Sequence, residues 1–556
     1  MITPRDRRRP VSRKPIAAFA ALLAVVLLIA ARELIAPHAA GGDAVRGSAH
    51  PAILRRGNGP EPESLDPHGA RSESALSILR DLYEGLTELG ADGSPILAAA
   101  DHVDVSEDGT TYRFHLRAAR WSNGESVVAE DFAAAWRRLV DPHTAAPYAA
   151  ILAPVRGAAA ILKGAALPAT LAVRAEDAQT LVVELERPTR YFLGLLAHPA
   201  TFPLNRGSLA AHGAAFAKPG VMVSNGPFEL TRWDFGSHLA AVRNPRYWNA
   251  AATQLDGVEY YSFADGAAEL RAFRTGQVDV TATIPAAQIQ WIKQHLGADL
   301  HVAPQLAVYY LGLNLRKPPF AGSRELRQAL ALVIDRERIV ESVTGAGEAP
   351  AYTFVPPITT DYTPPVPDYA AWPMAQRISR ARQLLRTAGL EHAPPTIELR
   401  YNSGELHNRI AIAVARMWKE ALNIDTTLRA EEFKVLLQDI DQGDATVFRA
   451  SWIGDYDDAY TFLQVLQGGF GINMPRYANP AYDELLRRAS EDADPASRRN
   501  SLQMAETLML ADQPVIPLYF YVSKHLVDPH VQGWRDNAMD VIYSKSLSKH
   551  VAEGSN

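Results

Sequence analysis

Apolar positions along the chain change their period several times, and each change predicts a new element. Residues 53–97 read as a strand, a loop and then a helix that carries Leu76, Leu79, Leu82 and Tyr83 at helical spacing, with Glu84 just past its end. Residues 101–203 turn to short strands. Tyr112, Phe114 and Leu116 alternate with Arg113, His115 and Arg117, and Leu181, Val183 and Leu185 alternate with Val182, Glu184 and Glu186. A period of two predicts strands with one face buried. Between them, residues 130–140 form a helix with Phe132, Trp136 and Leu139 on one side. Residues 221–306 are rich in strand patterns broken by turn signals at Asn225-Gly226-Pro227, Asn244-Pro245 and Asp256-Gly257. Residues 309–315 alternate as a further strand.

Helix-then-strand units follow. Ser323 is placed to cap a helix whose buried face is Leu326, Leu330 and Ile334. Residues 375–388 form a helix stopped by Gly389, and Glu405–Leu422 one with Ile410, Val414, Met417 and Trp418 inside, followed by a strand over 424–428. Asp494-Pro495 is a helix start, with the cap ahead of a proline that needs no N–H partner. A last strand covers 519–522. The alternation of helices and strands predicts an α/β protein, and 556 residues at 47% hydrophobic predict more than one lobe.

Composition narrows the chemistry. There is no cysteine, which excludes disulfides, cysteine-bound metals and thiol nucleophiles. A basic segment (Arg5, Arg7, Arg8, Arg9, Arg13, Lys14) precedes an apolar run over 16–31, as in a secretory signal. The run is long for a signal and short for a spanning helix, and no clean A-x-A site follows it, so cleavage and an uncleaved anchor both stand open. Residues 41–52 read as a linker. Residues 1–40 hold seven basic and two acidic side chains, so without them the formal charge falls from −6 to about −11. An acidic body is a poor partner for nucleic acid.

Catalytic motifs are missing. There is no G-x-S-x-G, no Walker A loop and no H-E-x-x-H; Gly345 and Gly347 begin a G-x-G, but Pro350 replaces the third glycine. The sixteen histidines show no metal-ligand spacing. The richest stretch is ATVFRASWIGDYDDAY, residues 445–460, in which Arg449 and Asp455 bracket the indole of Trp452. A guanidinium, a carboxylate and an aromatic wall can hold a zwitterion by charge-assisted bonds. The same residues also fit a solvated acidic turn after an edge strand. As an EF-hand loop the stretch is poor, because Ala459 stands where that pattern wants Asp or Asn before its Gly.

With these residues the chain resembles the periplasmic oligopeptide-binding proteins of ABC transporters, the family 5 extracellular solute-binding proteins. The resemblance runs from about residue 61 to 546 and rests on EPESLDPH (61–68), RDLYEGL (80–86), TYRFHLRAARWSNGESVVAEDFAAAWRRLVDP (111–142), SNGPFEL (224–230), RNPRYWN (243–249), ALALVIDRERIV (329–340), NSGELHNRIAIAVARMWKEAL (402–422) and VIPLYFYVSKHLV (515–527), all in one order. It implies two α/β lobes joined by a two-strand hinge, with a small inserted domain. The divisions expected are lobe I over 53–97, 205–306 and 522–548, the insert over 98–204, and lobe II over 307–521. It also implies a monomer, without cofactor or metal and without catalysis, that closes on short peptides and delivers them to a membrane permease, or on a narrower ligand such as a dipeptide, a murein tripeptide or an opine-like compound. The competing reading from another class is an extracytoplasmic hydrolase or chaperone that uses the same cleft.

For the site, the resemblance implies that Asp455 takes a peptide ammonium, and that Arg449 and His407 meet peptide carboxylates. Trp452, Phe433 and Tyr310 would line side-chain pockets. Glu84, Tyr148 and His198 match positions near the cleft, and Asn402 and Ser451 join the same set. Taken alone, Glu84 reads as a solvent-facing helix end, and Tyr148 and His198 as packing groups. Two departures stand out. Thr344 replaces a lysine on the loop before Pro350-Ala351-Tyr352, and Ala307 and Ile453 replace a pair that forms a disulfide in relatives.

Overall fold

A computed structural model of the chain describes residues 51–550 apart from 470, 471 and 493. The signal or anchor expectation for residues 1–40 and most of the 41–52 linker lie outside the described residues. No helix among the described residues is long and apolar enough to cross a membrane.

Three sheets organise the described chain. The first has four strands in the order Ile53–Gly57, Gly257–Tyr261, His238–Arg243, Phe228–Asp234, with only the first pair parallel. The second, antiparallel throughout, is Ala100–Val105, Thr111–Leu116, Thr180–Glu184, Val173–Ala175. Its Thr111–Leu116 strand alternates half-buried and buried as its sequence predicts. Thr180–Glu184 does not: Val182 is buried as well, flanked across both ladders by Arg113 and Arg174. Long arginine stems can shelter a valine that pattern alone assigns to solvent. The helix Ala129–Val140 lays Phe132, Trp136 and Leu139, all fully buried, on this layer. One continuous apolar core joins the first two sheets, running from Leu54 and Tyr260 to Phe114 and Leu181.

The third sheet is mixed and six-stranded, in the order Ala349–Pro350, Val515–Leu526, Leu300–Leu313, Val447–Ile453, Ile397–Asn402, Thr426–Glu431. A separate core covers each face. That explains why Leu300–Leu313 is buried without a break from Leu306 on, where the sequence pattern suggests alternation: an inner strand with both faces covered has no polar side. The expected strand after Glu405–Leu422 forms two residues later, as Thr426–Glu431. Ser323 and Asp494 cap their helices as expected, accepting from Leu326 N and Ser497 N.

Leu300–Leu313 and Val515–Leu526 pair antiparallel along most of their length and carry the chain between the first and third sheets. Their upper halves lie inside the six-stranded sheet. Their lower ends reach the first sheet's neighbourhood, where Thr281 N donates to Leu526 O and His525 Nδ1 meets Thr281 O at 2.8 Å. The ladder slips between Pro304 and Val308, at the exit from the sheet. The fold is therefore two α/β lobes on a pair of crossing strands, with the second sheet inserted beside the first.

Arg336 ties the crossing strands to the helical layer. It is fully buried and its Nε donates to Ala351 O (2.8 Å) and Pro517 O (2.9 Å), while Nη1 donates to Ala331 O and Ile334 O. Arg336→Met would strand these carbonyls, and urea denaturation should show a loss of about 3 kcal/mol. An unchanged midpoint would contradict this role.

Candidate functional site

Val447–Ile453 is the inner strand that carries the candidate site. Along one edge it pairs with Leu300–Leu313 over its whole length, Val447 opposite Leu313 and Ile453 opposite Ala307. Along its other edge only Val447 and Phe448 are paired, with Leu399 and Arg400. From Arg449 to Ile453 that edge carries no ladder partner among the described residues. Inner strands rarely leave such an edge open, because its N–H and C=O groups template an added strand.

At one end of the open edge stands Arg449. Its Nη1 donates to Asn402 Oδ1 (3.2 Å), its Nη2 to the Tyr521 hydroxyl (3.0 Å), and the guanidinium lies 4.8 Å from the Tyr309 ring centre. Its Nε is buried without a hydrogen-bond partner, and no carboxylate pairs with it among the described residues. His407, on the first turn of Glu405–Leu422, meets the Tyr309 hydroxyl at 3.4 Å. Burial, then the nearby Arg449 charge, push its imidazole down to about 4, so it is neutral at neutral pH. A lone guanidinium whose partners are neutral acceptors favours an incoming carboxylate.

Beyond the other end lies the loop 454–458 with three acids, two of which are engaged. Asp457 accepts from Thr360 N (2.9 Å) and Thr360 Oγ1 (2.6 Å). Asp458 caps the helix Ala459–Leu463 through Tyr460 N (2.8 Å) and takes both Nη groups of Arg498 at 2.8 and 2.9 Å. Asp455 is in no ion pair among the described residues, and its backbone N–H donates to Thr461 Oγ1 (3.2 Å). Its side chain can be reached by solvent, yet protein crowds round it. That desolvation pushes its carboxyl up to about 6, against a smaller opposing effect of Thr461. Tyr148 faces it: burial and then the Asp455 charge push the Tyr148 hydroxyl up to about 12. Tyr148 packs on His198 with ring centres 4.3 Å apart. His198 accepts from Ala200 N through Nδ1, and burial, then Arg80, push it down to about 3.

The expected residues thus fall into two groups joined by one strand. Arg449, His407 and Asn402 meet at one end, and Asp455, Tyr148 and His198 at the other, with half-buried Ser451 and Trp452 between. The expected Arg–Trp–Asp bracket does not form as such. Arg449 and Trp452 differ by three positions on a strand, so they lie on opposite faces of the sheet. Trp452 packs toward the core that holds Tyr310, and its indole N–H is buried without a partner. Tyr310 itself is 3% exposed, edge-on to Phe354. Phe433 is exposed at the start of Phe433–Gln442.

Glu84 sits elsewhere, buried among donors: Trp248 Nε1 (2.7 Å), the Tyr247 hydroxyl and Lys545 Nζ (3.3 Å). Thr344 is buried and donates to Glu348 Oε2 (2.8 Å), and Glu348 pairs with Lys524 at 2.6 Å, so no free cation takes the place of the missing lysine on that loop. Ala307 and Ile453 lie directly opposite in the ladder, where a cross-strand pair of cysteines could meet. Sequence reasoning missed Tyr309 and Tyr521, which present Arg449, although the aromatic alternation of the crossing strands (Tyr309, Tyr519, Tyr521) carried a signal for them. It also missed Tyr191 and Tyr456, whose rings stack 4.2 Å apart.

A sequence profile described as bacterial extracellular solute-binding proteins, family 5 Middle, matches residues 94–474. The periplasmic oligopeptide-binding protein OppA of Escherichia coli (strain K12) is 35% identical over 500 residues, 89% of this chain and 92% of that one. The probable deoxycholate-binding periplasmic protein YgiS of the same organism is 37% identical over 532 residues, 95% and 98% of the two chains. The solved structure of Haemophilus influenzae OppA in complex with RPPGFSPFR superposes with a TM-score of 0.80 at 33% identity, covering 90% of this chain and 99% of that one.

The raised Asp455 pKa has a stability consequence of definite sign. A carboxyl held above its unfolded value favours folding when protonated, and that contribution is lost as pH rises through about 6. Asp455→Asn should therefore raise the melting temperature at pH 8 and leave it nearly unchanged at pH 4. Equal melting temperatures at pH 8 would contradict the desolvation of Asp455.

Proposed function

We propose that this chain, which belongs to the family 5 bacterial extracellular solute-binding proteins, captures short peptides between its lobes and hands them to the membrane permease of an ABC transporter. One observation carries the proposal: among the described residues, an anion without a cation (Asp455) and a cation without an anion (Arg449) stand at the two ends of an open strand edge. A free peptide has the complementary pattern, an ammonium, a backbone that can add as a strand, and a carboxylate. From Arg449 to Ile453 the strand spans about 13 Å, the length of about four extended residues. Side chains are read loosely, because the three fixed contacts use only what every peptide has.

Closure supplies the drive. A ligand that touches both lobes is bound better by the closed state and shifts the population toward it. Lobe divisions at 53–97 with 205–306 and 522–548, 98–204, and 307–521 fit this motion, with the bend near the Pro304–Val308 slip in the crossing strands. The proposal includes no chemical step on the ligand, a monomer as the working form, and a location outside the inner membrane, in the periplasm. The relative named for deoxycholate supports a second class of ligand, an apolar carboxylate that would engage Arg449 and leave Asp455 aside.

Calorimetric titration of the full-length protein with tri- to pentapeptides tests the proposal. Free-amine peptides should bind and N-acetylated ones should lose at least 10²-fold, about 3 kcal/mol, as should free peptides against Asp455→Ala. Arg449→Met should weaken free-acid peptides and leave C-terminal amides almost unaffected. Equal binding of free and acetylated peptides would overturn the ammonium role. Deoxycholate binding that is indifferent to Asp455→Asn, without peptide binding, would select the second ligand class.

A further inference from the structure

We propose that Tyr191 is a positioning residue for Asp455: its ring, carried by the inserted sheet unit and stacked on Tyr456, holds the 454–458 loop so that Asp455 faces Tyr148 across the cleft. The inference rests on the ammonium role proposed for Asp455 and adds what keeps that carboxylate in place.

No cation orients the Asp455 carboxylate among the described residues; its neighbour Thr461 accepts from the Asp455 backbone N–H at 3.2 Å. The loop around it is held on the third-sheet side by Asp457 with Thr360 and by Asp458 with Arg498. On the opposite side the loop meets the inserted unit through an aromatic contact. Tyr191 lies 4.2 Å from Tyr456, centre to centre, at an interplanar angle of 5°, and 5.7 Å from Tyr460 at 19°. Tyr456 is 4% exposed and its hydroxyl accepts from Gln464 Nε2 at 3.3 Å, so the receiving ring is fixed. The presenting ring is fixed as well. The next residue, Phe192, is fully buried and contacts Tyr112 (5.0 Å) and Trp136 (6.4 Å) in the core of the inserted unit. Gly194, one turn on, lets the backbones close up: a Cβ there would come within 3.2 Å of the Tyr456 Cβ.

This stack links the core of the first two sheets to a core of the third; Tyr456 belongs to the former, and Tyr191 packs against the latter. It therefore forms only when the lobes approach, and it sits one residue from Asp455. Opening the lobes separates the rings, frees the loop and draws protein back from the carboxylate. The ammonium site is thus completed by closure, through a ring that does not touch the ligand. A stacked aromatic pair contributes about 1 kcal/mol, so losing it should change the selected affinity by roughly five- to tenfold.

Two readouts on full-length Tyr191→Ala, Tyr191→Leu and Tyr191→Phe test this. The first is the ratio of affinities for a free-amine tripeptide and its N-acetylated form. It should fall about five- to tenfold in the Ala and Leu variants and stay at the wild-type value in Phe, whereas a ring that merely stabilises closure would weaken both peptides alike and leave the ratio unchanged. The second needs no peptide: the Asp455 carboxyl, followed by carbon-13 NMR, should titrate lower in the Ala and Leu variants as the protein crowding it loosens beside Tyr148, Tyr456 and Thr461, the groups that face it, with Arg498 and Asp458 behind. Wild-type protein without free-amine preference would remove the ammonium role, and the NMR titration would still decide the positioning. An Asp455 titration unmoved in both the Ala and Leu variants overturns the proposal.

Discussion

A carboxylate crowded by protein and left without a cation is the costly feature around which this molecule is arranged. Asp455 could be relieved by a neighbouring arginine, and one stands beside the same loop: Arg498, on the helix Pro495–Asp512. That arginine is given to Asp458 instead, with both of its Nη groups. Asp457 is likewise given to Thr360. Two of the loop's acids are satisfied and tie it to the third-sheet side, and the third is held ready because it is not. Leaving one charge of a potential pair without its partner in a desolvated place costs stability, and the cost is recovered when a cation arrives.

The six-stranded sheet provides the measure between that acid and its counterpart. Val447–Ile453 has a fully paired edge that fixes its register and an edge open from Arg449 on. Arg449 is presented by groups from three different strands: Tyr309 and Tyr521 of the two crossing strands, and Asn402 at the end of Ile397–Asn402. The strands that join the lobes therefore also build the cation end of the cleft. A change in the crossing angle is felt directly at Arg449, while the Tyr191 stack transmits closure to Asp455. Binding and lobe motion are coupled through side chains a few ångströms from the ligand, with no long relay needed.

Much of this was legible from residue pattern. Caps at Ser323 and Asp494, the face of Ala129–Val140 and the bounds of Glu405–Leu422 follow from local chemistry that tertiary packing did not override. The proposed roles of Asp455 and Arg449 as the two ends of one site start from the same sequence segment, which the structure places at the two ends of one strand. What failed was geometry that depends on the other side of a contact. Trp452 was expected between the charges, but strand alternation turns it to the far face. Val182 was expected at the surface, and two arginines across the ladders enclose it. Tyr191 is 265 positions from Tyr456, and no periodicity signals a stack at that range. Glu84 reads as a helix end in solvent, whereas Lys545, more than 450 residues later, brings it a partner.

The central claim is that Asp455 gives its charge to the ligand's ammonium, and proton linkage measures that directly. Calorimetry of tripeptide binding at pH 6, repeated in buffers of different ionisation enthalpy, counts the protons released. Unliganded Asp455 is about half protonated there and must ionise to pair. The account predicts release of roughly half a proton per peptide at pH 6, absent in Asp455→Asn. Peptide binding at pH 6 with no proton release in the wild type would contradict it.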